Sequence, residues 1–395
     1  MHRRRFLASV AALPALGIAG KLFAAPLSSP RFLFVFLRGG YDCANMLIPY
    51  SSDFYYESRP KIAIAKPDPS NPAGALSLDS TWALTPALRD SIGAMYTNKQ
   101  VAFIPFAGTE DLSRSHFETQ DNIEIGLPPQ QRGFGSGFLA RLATTLQGKS
   151  KPIAFTDALP LTLRGGGDVP NISLRSVGKA GFDERQSAIL VDMYKGSSLQ
   201  PAVSSGLQLR AEVAQEFGAE MVKANRGAVN ARGFAAQTDR LAELMRDRYR
   251  IGFVDIGGWD THVNEGGAQG QLANNLANLG EGLQTFARAL GDEWKNTVVV
   301  VMSEFGRTFR ENGNQGTDHG HGSVHWVLGG SIAGGRIAGE QIVVKHDTLL
   351  QNRDYPVLNN YRGSLASVFR GMWGLSSMQI AQIFPATTIS DLRLI

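Results

Sequence analysis

Asp318-His319-Gly320-His321-Gly322-Ser323-Val324-His325 places one carboxylate and three imidazoles within eight residues, interleaved with glycines that let the backbone turn tightly. A lone histidine is usually an ordinary hydrogen-bonded residue, and a polar turn tolerates one. Three beside an acid make up the donor set of a divalent cation. A second acid–imidazole pair stands at Asp260-Thr261-His262, and a third acid, Asp42, follows Arg38-Gly39-Gly40-Tyr41. Three carboxylates drawn together would repel one another and raise each other's pKa, a conflict that cations remove. Ser115 precedes a stretch of helical spacing. A hydroxyl at the positive end of a helix, over cations, can ionise and attack phosphorus or sulfur, although the same serine can serve as a plain N-cap. Acids, imidazoles and a hydroxyl around two ions suit in-line displacement at a phosphate or related ester.

The elements that must position these groups are visible as apolar runs. Residues 31–37, 251–256 and 298–302 are continuous and rich in Phe, Val, Leu and Ile, as expected of strands buried on both faces of a parallel sheet. Each run ends just before one of the acid-bearing loops, and ligands collect at the carboxyl ends of such strands. Residues 101–106, 152–155 and 161–163 read as further strands, and 88–95 and 134–143 as helices. The fours and threes separating Leu272, Leu276, Leu279, Leu283, Phe286 and Leu290 mark an amphipathic core helix. Residues 51–88 read as loop with a short hairpin. The Ala, Leu, Met, Glu and Arg content of residues 183–250 reads as a mostly helical insertion. The expected fold class is α/β, a mostly parallel central sheet flanked by helices, forming a single domain over residues 26–395.

Residues 1–25 have the order of an export signal: Arg3-Arg4-Arg5-Phe6-Leu7, an apolar segment to Gly20, then Ala24-Ala25 before Pro26. The apolar part is too short to span a bilayer stably, so no membrane span is expected in the mature protein. The paired arginines followed by x-Phe-Leu resemble a twin-arginine signal. The twin-arginine export machinery is therefore an expected partner, with a periplasmic or secreted location. The chain carries 39 Lys and Arg against 35 Asp and Glu; removing Arg3, Arg4, Arg5 and Lys21 leaves 35 against 35. The basic excess belongs to the signal, and nothing suggests a nucleic-acid surface. Cys43 is the only cysteine and cannot form an internal disulfide.

Taken together, the twin-arginine start, Phe36-Leu37-Arg38-Gly39-Gly40-Tyr41-Asp42, Arg114-Ser115-His116-Phe117, Gly258-Trp259-Asp260-Thr261-His262, Ser303-Glu304-Phe305-Gly306-Arg307-Thr308 and Asp318-His319-Gly320-His321-Gly322 resemble the bacterial domain of unknown function 1501 family. The resemblance covers essentially the whole mature chain. It implies an alkaline-phosphatase-like fold, related to sulfatases and cofactor-independent phosphoglycerate mutases. It further implies one ion held by Asp42, Ser115, Asp318 and His319 and a second held by Asp260, His262 and His325. Ser115 is then the nucleophile, with Ser113 as its rival. Asp255 competes with Asp260, and His321 with His325. Asp260 and His262 are separated by one residue where the superfamily has a longer spacing, and Cys43 stands where glycine is expected. The expected activity is that of an exported metal-dependent hydrolase of phosphate or sulfate esters. Arg38 or Arg307 would meet the anionic ester, and zinc or manganese would be the ion, with calcium or magnesium as alternatives. The competing expectation is a catalytically degenerate exported protein that binds an envelope or extracellular polymer or partner.

Overall fold

The computed structural model describes residues 27–129, 131, 133, 135–174, 192–193, 195–197, 200 and 225–395. The export segment 1–25 and most of the 183–250 insertion lie outside the described residues.

Six strands of four residues or more build the central sheet: β1 (Arg31–Leu37), β2 (Val101–Gly108), β3 (Pro152–Phe155), β4 (Ile251–Gly257), β5 (Thr297–Ser303) and β6 (Ser323–Gly329). Their order is β2-β6-β5-β1-β4-β3. β1 pairs in parallel with β4 and β5, and β3 in parallel with β4; β6 runs antiparallel to both β5 and β2. The sheet is thus mixed but mostly parallel, as its uninterrupted apolar runs require. Both faces are covered. Side chains alternate across a strand, so Leu33, Val35, Leu37, Val299 and Val301 enter one core while Phe32, Phe34, Phe36, Val298 and Val300 enter the other.

Helices of eight residues or more, among the described residues, are α1 (His116–Ile125), α2 (Phe138–Thr145), α3 (Thr238–Asp247), α4 (Gln271–Leu290) and α5 (Tyr361–Trp373). α4 lays its leucine stripe on the first core, and α5 packs Leu365, Val368, Phe369 and Met372 into the second. None of the described helices is long and apolar enough to cross a membrane.

Some expectations require correction. Residues 161–163 form a single tight helical turn instead of a strand, following Pro160 with its extended backbone. The second helix starts at Phe138, after Gly137 has packed its backbone on Leu161 and Thr162. The stretch around residues 47–84 holds a three-stranded antiparallel sheet of two-residue strands instead of one hairpin.

Candidate metal centre

The carboxyl ends of β1, β2, β4 and β5 lie on one edge of the sheet, and the loops leaving them meet there. β2 leads through residues 109–115 to α1, whose first residue is His116. β4 delivers Asp260 and His262, and β5 delivers Glu304 and Arg307. The loop before β6 folds back on the end of β5: the Thr308 amide donates to the Asp318 carbonyl (2.9 Å) and the Gly320 amide to the Gly306 carbonyl (2.8 Å), which fixes His319. Close approach explains two glycines. A Cβ on Gly39, which sits at φ +122°, would lie 2.7 Å from the Asp260 amide nitrogen, and one on Gly316 would lie 2.4 Å from the His262 carbonyl carbon.

Three imidazoles and one carboxylate converge. The Nε2 atoms of His116 and His319 are 3.0 Å apart, and those of His262 and His319 are 3.1 Å apart. Asp260 Oδ1 lies 2.9 Å from His262 Nε2 and 3.3 Å from His319 Nε2; its Oδ2 lies 3.5 Å from His116 Nε2. His116, Asp260 and His319 present ligand atoms within 4.8 Å of one another.

The opposite ring nitrogens determine the tautomers. His116 Nδ1 faces Glu304 Oε1 (2.8 Å), His319 Nδ1 faces the Arg114 carbonyl (3.1 Å), and His262 Nδ1 faces Asp318 Oδ1 (3.3 Å). Each partner only accepts, so each Nδ1 carries a proton, and Nε2 is the nitrogen left to take a cation in place of a second proton. Imidazoles that donate from the far nitrogen to carboxylate or carbonyl are the usual outer support of a metal-bound histidine. Zinc–nitrogen bonds of about 2.0–2.1 Å give tetrahedral edges of roughly 3.3–3.4 Å, close to the spacings here. The donor set therefore fits a divalent cation.

Charge in the site is arranged to match. Arg307 is buried and donates to Asp260 (2.6 Å) and to the Thr317 carbonyl (2.7 Å). Burial works against ionised Asp260, but the three histidines and Arg307 outweigh it and hold the carboxyl far below the usual range. Burial likewise opposes charge on Glu304, yet the His116 and Gln120 contacts bring it down to about 2. His116 is pushed up to about 9 against burial, by Asp260 and Glu304.

The structure brings together Asp260, His262, His319 and, behind them, Asp318, but it turns other expected residues away. Asp42 gives both oxygens to buried Arg59 (2.5 and 3.0 Å), so it is an ion-pair partner and no part of the cluster. His325 falls, by strand alternation, on the core face of β6, in a small, mostly apolar cavity lined by Ile104, Val300, Met302, Val327, Leu365 and Val368 together with Tyr361 and Ser364. Burial pulls its pKa down to about 3. His321 is buried outside the cluster, near Arg114 and Asp111, with its pKa drawn down to about 4 by burial and then by Arg114. Arg38 is spent on Asp255 (2.6 Å), Gln120 (2.7 Å) and Glu124 (2.8 Å), and this also removes Asp255 as a ligand. Asp318 supports His262 from an exposed position. Ser115, at the start of α1, makes no capping bond, and both of its chain neighbours touch the cluster: Arg114 through its carbonyl, His116 as a member. Ser113, its rival, bonds Asp111 and lies close to Thr119.

His116 and Glu304 are site residues that the sequence motifs do not single out. His116 sits in the loop-to-helix junction after β2, the kind of position that also holds the three acids. Glu304, one residue beyond β5, has the same signal.

The family model described as "Protein of unknown function (DUF1501)" matches residues 29–384. No curated protein matches the chain. Similar solved structures include a protein in the alkaline phosphatase superfamily from Vibrio parahaemolyticus (11% identity, 77% of this chain and 61% of that one, TM-score 0.38). Another is the lipoteichoic acid synthase LtaP from Listeria monocytogenes (9% identity, 94% and 77%, TM-score 0.44). A third is the C-terminal periplasmic domain of EcEptC from Escherichia coli in complex with Zn (11% identity, 78% and 77%, TM-score 0.36). The match thus spans less than two thirds of the Vibrio protein. Likeness at this level is too distant to carry an inference about chemistry.

Proposed function

Because the chain belongs to the DUF1501 family, whose description leaves its chemistry open, we propose from the site itself a metal-dependent hydrolase of phosphate or sulfate esters. One observation carries the proposal: His116, His319 and the Asp260 carboxylate present ligand atoms within 4.8 Å of one another, His262 Nε2 lies beside His319 and Asp260, and the far nitrogen of each ring faces an acceptor. His116, His262, His319 and Asp260 would hold a single ion, zinc ahead of manganese because imidazole dominates the donor set. Bound there, the ion would supply Lewis acidity toward an ester oxygen.

The chain's own residues supply the rest. Ser115 is the proposed nucleophile, presented at the positive end of the ten-residue helix α1. Glu304 and the Arg114 carbonyl keep His116 and His319 oriented. Arg307 acts as a positioning residue for Asp260, since its guanidinium is buried and fully engaged. Export through the twin-arginine machinery and action on an anionic ester outside the cytoplasm belong to the same reading. Replacing Arg3 and Arg4 by Lys should strand the protein in the cytoplasm.

One observation favours a second reading. Arg38 and Arg307, the arginines expected to meet an anionic substrate, are both consumed internally. A metal-stabilised protein that binds an envelope polymer and performs no hydrolysis would show this. The deciding test is zinc analysis of the purified mature protein together with turnover of an aryl phosphate and an aryl sulfate. Bound zinc with turnover abolished by Ser115→Ala supports the hydrolase. Bound zinc without turnover of either ester supports the binding protein, and absence of binding by zinc or manganese overturns the metal site.

A further inference from the structure

Two of the ligand-bearing loops are joined by a residue that belongs to neither ligand set. Glu265 is completely buried. Its Oε2 accepts from the Thr261 hydroxyl (2.8 Å) and from the Thr317 hydroxyl (2.8 Å). Thr261 lies between Asp260 and His262; Thr317 immediately precedes Asp318 and His319. Thr317 Oγ1 also accepts from Arg307 Nε (3.2 Å), the guanidinium that donates to Asp260. One carboxyl oxygen therefore touches the residue before His262 and the residue two before His319, and is one step from the arginine holding Asp260.

The surroundings tighten the same junction. The Glu265 amide donates to the Gln315 carbonyl (2.9 Å), the Asn264 amide to the Asn314 carbonyl (2.9 Å) and the Thr317 amide to the Thr261 carbonyl (3.2 Å). The other Glu265 oxygen, Oε1, receives no donor among the described residues and faces the Asp42 carboxyl, which is itself clamped by Arg59. Two buried carboxyls can face each other in this way only if one carries a proton that the other accepts. Asp42 already has two guanidinium bonds, so the proton resides on Glu265. A neutral carboxyl at this position accepts two hydroxyl bonds on one oxygen and donates on the other, and a glutamine amide can do the same.

We infer that Glu265 is a positioning residue that sets the separation of His262 and His319 by cross-linking their loops through Thr261 and Thr317. This rests on the metal reading for its functional meaning but not for its structural test. A ring displaced by a few tenths of an ångström leaves tetrahedral geometry, and loss of an outer support typically lowers metal affinity about 10–100-fold.

The experiment compares wild type, Glu265→Gln, Glu265→Ala and the near-isosteric double variant Thr261→Val/Thr317→Val. Zinc affinity is measured by competition with a chromophoric chelator, and site geometry by the visible spectrum of the cobalt-substituted proteins. Glu265→Gln should keep affinity within about threefold of wild type and retain its cobalt spectrum. Glu265→Ala and the double threonine variant should each lose about tenfold or more, with altered cobalt bands. In chelator, hydrogen exchange at the Asn264, Glu265 and Thr317 amides should quicken in those two variants and not in Glu265→Gln. If Glu265→Ala fails to fold, the double variant supplies the answer. Wild-type affinity, spectrum and exchange in that double variant would overturn the inference. If wild type itself binds no zinc, the metal reading fails alone, and the exchange comparison still decides whether Glu265 ties the loops.

Discussion

His116 and His319 stand Nε2 to Nε2 at 3.0 Å although 203 residues separate them, and each has its other ring nitrogen committed to an oxygen acceptor. Two neutral rings so oriented present lone pair to lone pair, which is unfavourable unless a cation or a proton lies between them. Metal and proton are therefore competitors. With zinc in about thousandfold excess over its dissociation constant, native-state binding adds about 4 kcal/mol. Chelation should lower the melting temperature of the wild type and leave that of His116→Ala nearly unchanged. Superimposable melting curves of wild type with and without chelator would leave the proton as the occupant.

Asp318 and Asp260 should respond differently to the same substitution. Asp260 faces all three Nε2 atoms, whereas Asp318 reaches only His262 Nδ1, at 3.3 Å, and is exposed. Asp260→Asn should abolish stoichiometric zinc, while Asp318→Asn should weaken it by about 10-fold as the loss of an outer support. Dialysis against graded free zinc separates the two. Comparable losses from both would make Asp318 a ligand after all.

Asp42→Asn tests the reassignment of Asp42 from the metal to Arg59. Breaking a buried pair leaves Arg59 uncompensated and should cost about 3–5 kcal/mol in denaturant unfolding. Zinc content per folded molecule should stay at the wild-type level. A stable Asp42→Asn protein stripped of metal would contradict the structure.

His325 predicts an acid-limb effect. Its folded pKa of about 3 lies below the ordinary value of about 6.5. Between those values the unfolded chain takes up a proton that the folded chain refuses, so stability falls as pH falls, by up to roughly 1.4 kcal/mol per pH unit. His325→Leu suits the apolar cavity and removes a buried nitrogen that has no partner among the described residues. Urea unfolding at pH 4 and pH 7 should show a smaller difference for the variant than for wild type. An unchanged difference would mean that the ring is solvated or paired.

Much of the sheet was legible because its signal is local. Seven consecutive buried residues in Arg31–Leu37 leave little choice but a strand covered on both faces, and the carboxyl-end rule then located the loops. Asp260, His262 and His319, which the structure brings together, stand in the sequence as acid and imidazole after strand ends. What failed depends on direction and on distant partners. Whether Asp42 faces a metal or an arginine is decided by Arg59, 17 residues on, and whether His325 faces solvent or core by the register of β6. Neither is written in local composition. Arginines suit an anionic ester, but Arg38 and Arg307 are held by the internal acids Asp255, Glu124 and Asp260.

The cluster draws on three separate parts of the chain, and even the histidines nearest in sequence, His262 and His319, are 57 residues apart. In an unfolded chain these donors are scattered, so closing them around an ion costs loop entropy before any sheet has formed. The ion would therefore be a latch on the finished protein and not a template for it. If the ligand geometry is absent from the folding transition state, added zinc should leave the refolding rate nearly unchanged and place its whole effect on unfolding, lengthening the lifetime of the native state.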